Sequence, residues 1–198
     1  MQKHLDQTLA IDLAQTDADQ KTDVLFAYME KRGQSFYDEA VTQLEHALQC
    51  ANQARLDGSD AESIASALLH DLGHFLLEEH EADGSFLDTD LNHEEIGADY
   101  LEPFFPAAVT EPVRLHVPAK RYLCTTDASY YEALSRASKR SFKLQGGAMS
   151  AAEVAAFEEN PHLAVALKLR RWDDKAKVND LQTPGLASYR SAVQSCFK

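Results

Sequence analysis

The chain has 198 residues, enough for one domain with a real core. Hydrophobic residues make up 44% and charged residues 26% of it, a globular balance that excludes disorder as its general state. Lys and Arg number 19 against 32 Asp and Glu, and the formal charge of −13 excludes the basic footprint that a nucleic acid or an anionic membrane requires. A few local cations can still hold a small anion. No apolar run approaches the roughly 20 residues of a membrane span, and the N-terminal segment MQKHLDQTLAIDLAQ has no signal-type apolar stretch. Cys50, Cys124 and Cys196 are scattered and odd in number. They read as ordinary thiols in a reducing compartment, so a cytoplasmic location is expected.

Helical punctuation dominates the chain. Residues 22–31 read as a short helix closed by Gly33. Residues 38–55 carry a stripe at Val41, Leu44, Leu48 and Ala51, ended by Gly58. Ser59 with Glu62 forms a capping-box pattern opening a helix through Leu69, and Asn92 with Glu95 is a weaker start signal before IGADYL. Pro103 stops that helix. The next runs from Thr110 to His116, where Pro118 is expected to break it. Asp127 or Ser129 opens a further helix, and Gly146-Gly147 closes it. Ser150 with Glu153 is another capping box, and Asn160-Pro161 reads as an N-cap followed by proline at the first helical position. Pro184-Gly185 precedes a last amphipathic segment around Tyr189 and Val193. Residues 78–91 are acidic and turn-like. No strand pattern, repeat or linker appears. The expected fold is all-α, a single-domain bundle of about eight helices.

The chemistry centres on histidine. His70-Asp71 lies in ALLHDLGH, behind the apolar run IASALL, so this pair is expected in the core. Buried Asp beside buried His is costly unless a cation satisfies it. Imidazole with carboxylate suits Fe, Mn, Zn or Ni. An HD dipeptide alone is equally a paired core histidine. His46 in QLEHALQC, His93 in NHEEIGADYL and His116 in LHVPAKRYL, followed by a late Asp, turn that balance toward a metal.

The order His, His-Asp, His, His, Asp resembles the HD-domain metalloproteins, whose fold is an all-α helical bundle. QLEHALQCA, ALLHDLGH, HEEIGADYL, HVPAKRYL, SRASKRSFKLQGGAM and LKLRRWDDK resemble one branch of them, the mixed-valent di-iron 1-hydroxyphosphonate oxygenases. The resemblance spans about residues 36–185. It divides the chain into an N-terminal extension (1–33) and an HD-domain core (34–198).

The resemblance implies two iron ions, Fe(II) and Fe(III), held by His46, His70, Asp71, His93, His116 and Asp173, with Asp71 bridging. His80 competes with His93; the Glu94-Glu95 and GADYL that follow favour His93. Substrate-side positions are His74, Lys120, Ser138 and Arg170. For Lys120 the plain alternative is a solvated helix-end lysine, and for Arg170 a surface pair with Asp174. Glu39 matches a glutamate that meets a substrate amine, and Phe36 stands where the family has a metal-capping tyrosine, with Tyr37 next to it. Phe36, Tyr37, Asp38 and Glu39 together suit a quaternary ammonium, although the two aromatics could simply staple a loop. The implied activity is O2-dependent cleavage of the carbon–phosphorus bond of a 1-hydroxyphosphonate bearing a cationic amine. The expected substrate is 1-hydroxy-2-(trimethylamino)ethylphosphonate, giving glycine betaine and phosphate; 2-amino-1-hydroxyethylphosphonate, giving glycine, is second. The partners are then a small organophosphonate and O2. The alternative is a metal-dependent HD phosphohydrolase acting on a phosphate ester.

Overall fold

Cap chemistry sets most of the helix starts. A computed structural model describes residues 5–36, 41–77 and 92–198, and the readings of Tyr37, Asp38, Glu39, His80 and the acidic stretch 78–91 lie outside these. Helix α1 spans Thr8–Gln15 and α2 Lys21–Arg32. α3 (Gln43–Leu56) opens on a reciprocal capping box between Thr42 and Glu45. It therefore starts later than its apolar stripe suggests. α4 (Ala61–Leu69) is capped by Asp60, whose side chain accepts from Ser63 N, and not by Ser59. α5 covers Leu72–Leu76 and α6 His93–Leu101. α7 (Ala107–Thr126), α8 (Ala128–Ala133), α9 (Arg136–Leu144), α10 (Ala151–Glu158) and α11 (Leu163–Lys175) follow. A 3₁₀ turn (Leu186–Tyr189) leads into α12 (Arg190–Cys196). Among the described residues the chain is all-helical, with only one isolated bridge, Phe36 to Thr42. No described helix is long and apolar enough to cross a membrane.

Further expectations need correction, the helix number first: twelve α-helices lie among the described residues, against about eight expected. α7 does not break at Pro118; it runs 20 residues with Pro112 and Pro118 inside. Proline removes one backbone donor and frees the carbonyl four residues back. For Pro112 that carbonyl is Ala108 O, and Ser66 Oγ of α4 lies 3.5 Å from it and 3.0 Å from Val109 O. Tertiary packing thus tolerates what local rules forbid. The helix expected across 127–145 is two, because Ser135 caps a new start by accepting from Ser138 N. α11 begins at Leu163, since the Asn160 side chain accepts from His162 N in a turn ahead of the helix. The Ser150–Glu153 capping box and the Gly146-Gly147 stop occur as expected, Gly146 at φ 93°.

The main core joins α1 through α7 to the C-terminal segment. Leu9, Leu13, Leu25 and Met29 are fully buried in it beside Leu69, Leu76, Leu101 and Val113. The pair Leu9 and Leu13 is one helical turn apart, too short a stripe to announce α1. α7 packs against α4, α6 and α11. A second cluster of Cys50, Ala54, Ala67, Leu169, Trp172 and Ala176 seals α3 and α4 onto α11. Together these contacts bring α3, the α4–α5 junction, α6, α7 and α11 around one point.

The stretch just ahead of α1 is tied to α5 by a network around the buried Asp6. Asp6 N donates to Leu76 O at 3.0 Å, and the Asp6 carboxylate accepts from Thr8 N, Tyr28 OH and Arg32 at 2.9, 3.1 and 2.6 Å. Burial opposes the charge, but these bonds prevail and lower the Asp6 carboxyl to about 2. Asp6→Asn is expected to cost about 1–2 kcal/mol, lowering Tm by about 3–6 °C in a thermal melt at neutral pH. Because the folded pKa lies below the ordinary 3.8, the contribution is whole above pH 3.8 and is lost as pH falls toward 2.

Candidate metal centre

Adjacent side chains on one helix diverge by about 100°. His70 and Asp71 escape this because the helix ends between them. His70 keeps helical dihedrals, while Asp71 turns to φ −102°, ψ 15° and starts α5. His93 is the first residue of α6, after Asn92 in left-handed backbone at φ 52°. The α5–α6 approach depends on Gly73: a Cβ there would sit 2.0 Å from His93 O. Gly97 faces Gly73 N in the same way, at 3.1 Å. These two glycines let α6 press against α5 and present His93 to Asp71. Gly73→Ala is expected to push α6 away and reduce metal binding at least tenfold, or to prevent folding outright. Chelator-competition titration alongside circular dichroism checks it.

The imidazoles are oriented from behind by acceptors. His46 Nδ1 lies 2.7 Å from Ala176 O, His70 Nδ1 2.9 Å from Ala67 O, and His116 Nδ1 2.7 Å from Val113 O. His93 Nδ1 lies 3.4 Å from Glu94 Oε2. A carbonyl can only accept, so those Nδ1 atoms carry the hydrogen and the Nε2 atoms face inward as bare lone pairs. Yet His46 Nε2 and His70 Nε2 are 3.1 Å apart, and so are His93 Nε2 and His116 Nε2. Two lone pairs at that separation repel unless a cation lies between them. Nitrogens each about 2.1 Å from one ion and at right angles around it stand about 3 Å apart.

Asp71 serves both pairs. Its Oδ2 lies 3.4 Å from His46 Nε2 and 3.3 Å from His70 Nε2; its Oδ1 lies 3.4 Å from His93 Nε2 and 3.5 Å from His116 Nε2. Asp173 Oδ1 completes the first group at 3.2 Å from His46 Nε2. Asp71 Oδ2 and Asp173 Oδ1 are buried and make no hydrogen bond. The six side chains singled out by the sequence are thus brought together, and the donor set fits a first-row transition metal. His74 joins the second group: its ring stacks on His93 at 3.9 Å, and His74, His93 and Asp71 offer ligand atoms within 4.8 Å of one another.

Electrostatics point the same way. Burial would raise Asp71, but the imidazoles around it, His70 first, hold it well below the carboxylate range. Burial would likewise raise Asp173, which Arg170 and Lys177 pull far down. Burial lowers His70, yet the Asp71 charge raises it to about 10, whereas burial and the neighbouring His93 charge push His116 well down. The pocket demands positive charge, which a metal ion supplies.

A wall of donors adjoins the centre. Lys120, 3% exposed, donates to Ser141 Oγ at 2.9 Å, and Ser141 Oγ donates to Ser138 O. Lys177 Nζ lies 3.4 Å from Ser138 Oγ and 3.5 Å from Asp173 Oδ1. Arg170 is buried against Asp173 and Asp174, so it is no surface residue. Phe36, by contrast, is 66% exposed. Sequence reasoning missed Lys177, Ser141 and Gln49. Gln49 clamps Val178 by two bonds, Nε2 to Val178 O at 2.8 Å and Val178 N to Oε1 at 3.0 Å. With Ala176 O held by His46, Lys177 sits between two anchored residues. The spacing of Lys177, one turn beyond Asp173, was the available signal.

Burial, with the Arg170 charge beside it, lowers the Lys120 amine to about 7. Only its protonated form attracts an anion. Affinity of the metal-loaded protein for inorganic phosphate is expected to fall as pH rises from 7 to 9, and Lys120→Arg to remove that fall. Calorimetric titration across pH measures both.

An all-helical bundle enclosing an imidazole–carboxylate cradle with an adjoining cationic wall defines a metal-dependent enzyme that takes a small anion. No protein-family model matches the chain. It is 54% identical over 188 residues to hydroxymethylphosphonate dioxygenase of Gimesia maris, covering 95% of this chain and 93% of that protein. It is 47% identical over 169 residues to the glycine-betaine-forming 1-hydroxy-2-(trimethylamino)ethylphosphonate dioxygenase of Leisingera caerulea, covering 83% and 84%. Uncharacterized protein L432 of Acanthamoeba polyphaga mimivirus is 34% identical over 171 residues, covering 86% and 78%. The chain belongs to the hydroxyphosphonate dioxygenase family and is an oxygenase.

Proposed function

We propose that this protein uses two iron ions, Fe(II) and Fe(III), to split the carbon–phosphorus bond of a 1-hydroxyphosphonate with O2, and that hydroxymethylphosphonate is its substrate. The balanced reaction is hydroxymethylphosphonate plus O2 to formate, phosphate and a proton. The carbon–phosphorus bond breaks, carbon is oxidised and O2 is reduced. The observation that carries the reading is the two-sided use of Asp71, one oxygen for each imidazole pair. Such a carboxylate suits a pair of ions better than a single one. The iron pair supplies O2 activation and Lewis acidity when bound.

The protein's own part is positional and electrostatic. His46, His70 and Asp173 would hold one ion, His93 and His116 the other, and Asp71 would offer an oxygen to each. Lys120 would neutralise the phosphonate and Ser138 orient it, with His74 beside His93. The choice of the smaller substrate rests on relatives: the hydroxymethylphosphonate dioxygenase of Gimesia maris is similar over 95% of this chain at 54% identity, against 47% over 83% for the trimethylammonium enzyme. The trimethylammonium substrate expected from Phe36 to Glu39 is the second reading, on the strength of that second relative.

Iron-loaded protein in air is expected to release phosphate and formate in equal amounts from hydroxymethylphosphonate, at least tenfold faster than phosphate from either 2-amino-substituted analogue. Chelation is expected to abolish release and Fe(II) to restore it. Release under argon would indicate hydrolysis and overturn the oxygenase reading. Faster turnover of the trimethylammonium compound would overturn the substrate assignment alone.

A further inference from the structure

Arg170 is expected on the substrate side of the site, yet its donors are engaged by protein. Nε donates to Tyr130 OH at 3.0 Å, Nη1 lies 2.5 Å from Asp173 Oδ2, and Nη2 bonds Asp174 Oδ1. Tyr130 OH in turn donates to Asp174 Oδ2 at 2.5 Å. Tyr130, Arg170 and Asp174 therefore close a ring, with Asp173 fastened to its inner side. Arg170 is 3% exposed and Tyr130 half-buried.

We infer that Arg170 is a positioning residue for the metal-ligating carboxylate of Asp173, and that Tyr130 and Asp174 are the positioning residues that fix Arg170. The two Asp173 oxygens have separate fates: Oδ2 is locked by Arg170, and Oδ1 turns to His46 Nε2 at 3.2 Å. The arginine fork is rigid, but the aliphatic stem that carries it has several torsions. The ring removes that freedom, because Tyr130 comes from α8 while the other three residues share α11. Charge agrees. Arg170 and Lys177 balance Asp173 and Asp174, so this cluster adds no net attraction for a dianion. The uncompensated cation of the wall is Lys120, whose described partner is the neutral Ser141. The division of labour is then clear: Lys120 meets the anion, and Arg170 holds the ligand.

The inference rests on Asp173 as a metal ligand, proposed above, and not on which phosphonate is used. It is tested on metal-free full-length protein with Zn(II), which is redox-inert, by chelator competition. Inorganic phosphate affinity is then measured on the zinc-saturated protein. Tyr130→Phe removes one oxygen and is expected to weaken Zn(II) binding 10- to 100-fold while changing phosphate affinity less than twofold. Arg170→Lys is expected to do the same, since a lysine keeps the charge and loses the fork. Unchanged Zn(II) affinity in Tyr130→Phe overturns the inference. So does the opposite pattern, in which phosphate affinity falls and metal affinity holds, for that is the signature of a substrate clamp. Circular dichroism identifies a variant that fails to fold, in which case Asp174→Asn, at the more exposed corner of the ring, decides by the same two measurements. A wild-type protein that binds no metal would instead overturn the reading beneath it.

Discussion

The structure depends on one buried carboxylate. Asp71 places each of its oxygens about equally far from two imidazole nitrogens, 3.3–3.4 Å for one pair and 3.4–3.5 Å for the other. Such a group is stable in an apolar core only if positive charge surrounds it. Three of the histidines point their Nδ1 hydrogen at a backbone carbonyl, so any charge they supply comes from a proton on the inward Nε2, the same atom that a metal would take. The cradle therefore offers one set of inward nitrogens to a proton or to a metal cation.

That constraint explains features that look like defects locally. The α4–α5 helix breaks at Asp71 so that neighbouring side chains share one target. α7 carries two prolines in its interior and still runs straight through, with Ser66 near a freed carbonyl and His116 between the proline positions. Glycine at 73 and 97 removes the bulk that would hold α5 and α6 apart. Each departure from good local chemistry lies within a turn or two of a ligand. Stability is recovered elsewhere, in the Leu-rich core and the Trp172 seal, whose indole Nε1 donates to Asp57 at 2.6 Å.

This distribution also decides what could be read from the sequence. The candidate ligands were legible because imidazole and carboxylate are scarce in apolar surroundings, so His70-Asp71 after IASALL stands out by chemistry alone. Helix identity was legible where caps and breakers act locally, as at Ser150 and Gly146. Continuity of α7 was not, because a proline's cost depends on who greets the orphaned carbonyl. Gln49 and Tyr130 were illegible for the same reason: nothing in their own neighbourhoods marks them, and their roles arise from segments 40 to 129 residues away in sequence, whereas Lys177 offered only its spacing from Asp173. The trimethylammonium expectation relied on residues 36–39, of which only Phe36 lies among the described residues, and composition there suggests an aromatic cage without fixing the substrate.

The two halves of the centre are supported differently, and this bears on how the site can work. His46, His70 and Asp173 are fastened by α3, α4 and α11, with Gln49 and Arg170 adding further braces, and all three are essentially sealed from solvent. His93 begins its helix after a strained residue, is slightly exposed, and stacks on the half-buried His74. Rigid packing on one side and partial access on the other is a sensible arrangement for chemistry with two reactants. The sealed side can preserve ligand geometry, while the His93 side lies nearer to solvent. The N-terminal network reaches this second side, since Asp6 holds Leu76 O at the end of α5, the helix that carries both Gly73 and His74. Residues far from the metal ligands in sequence thus help set the half of the centre that is least buried.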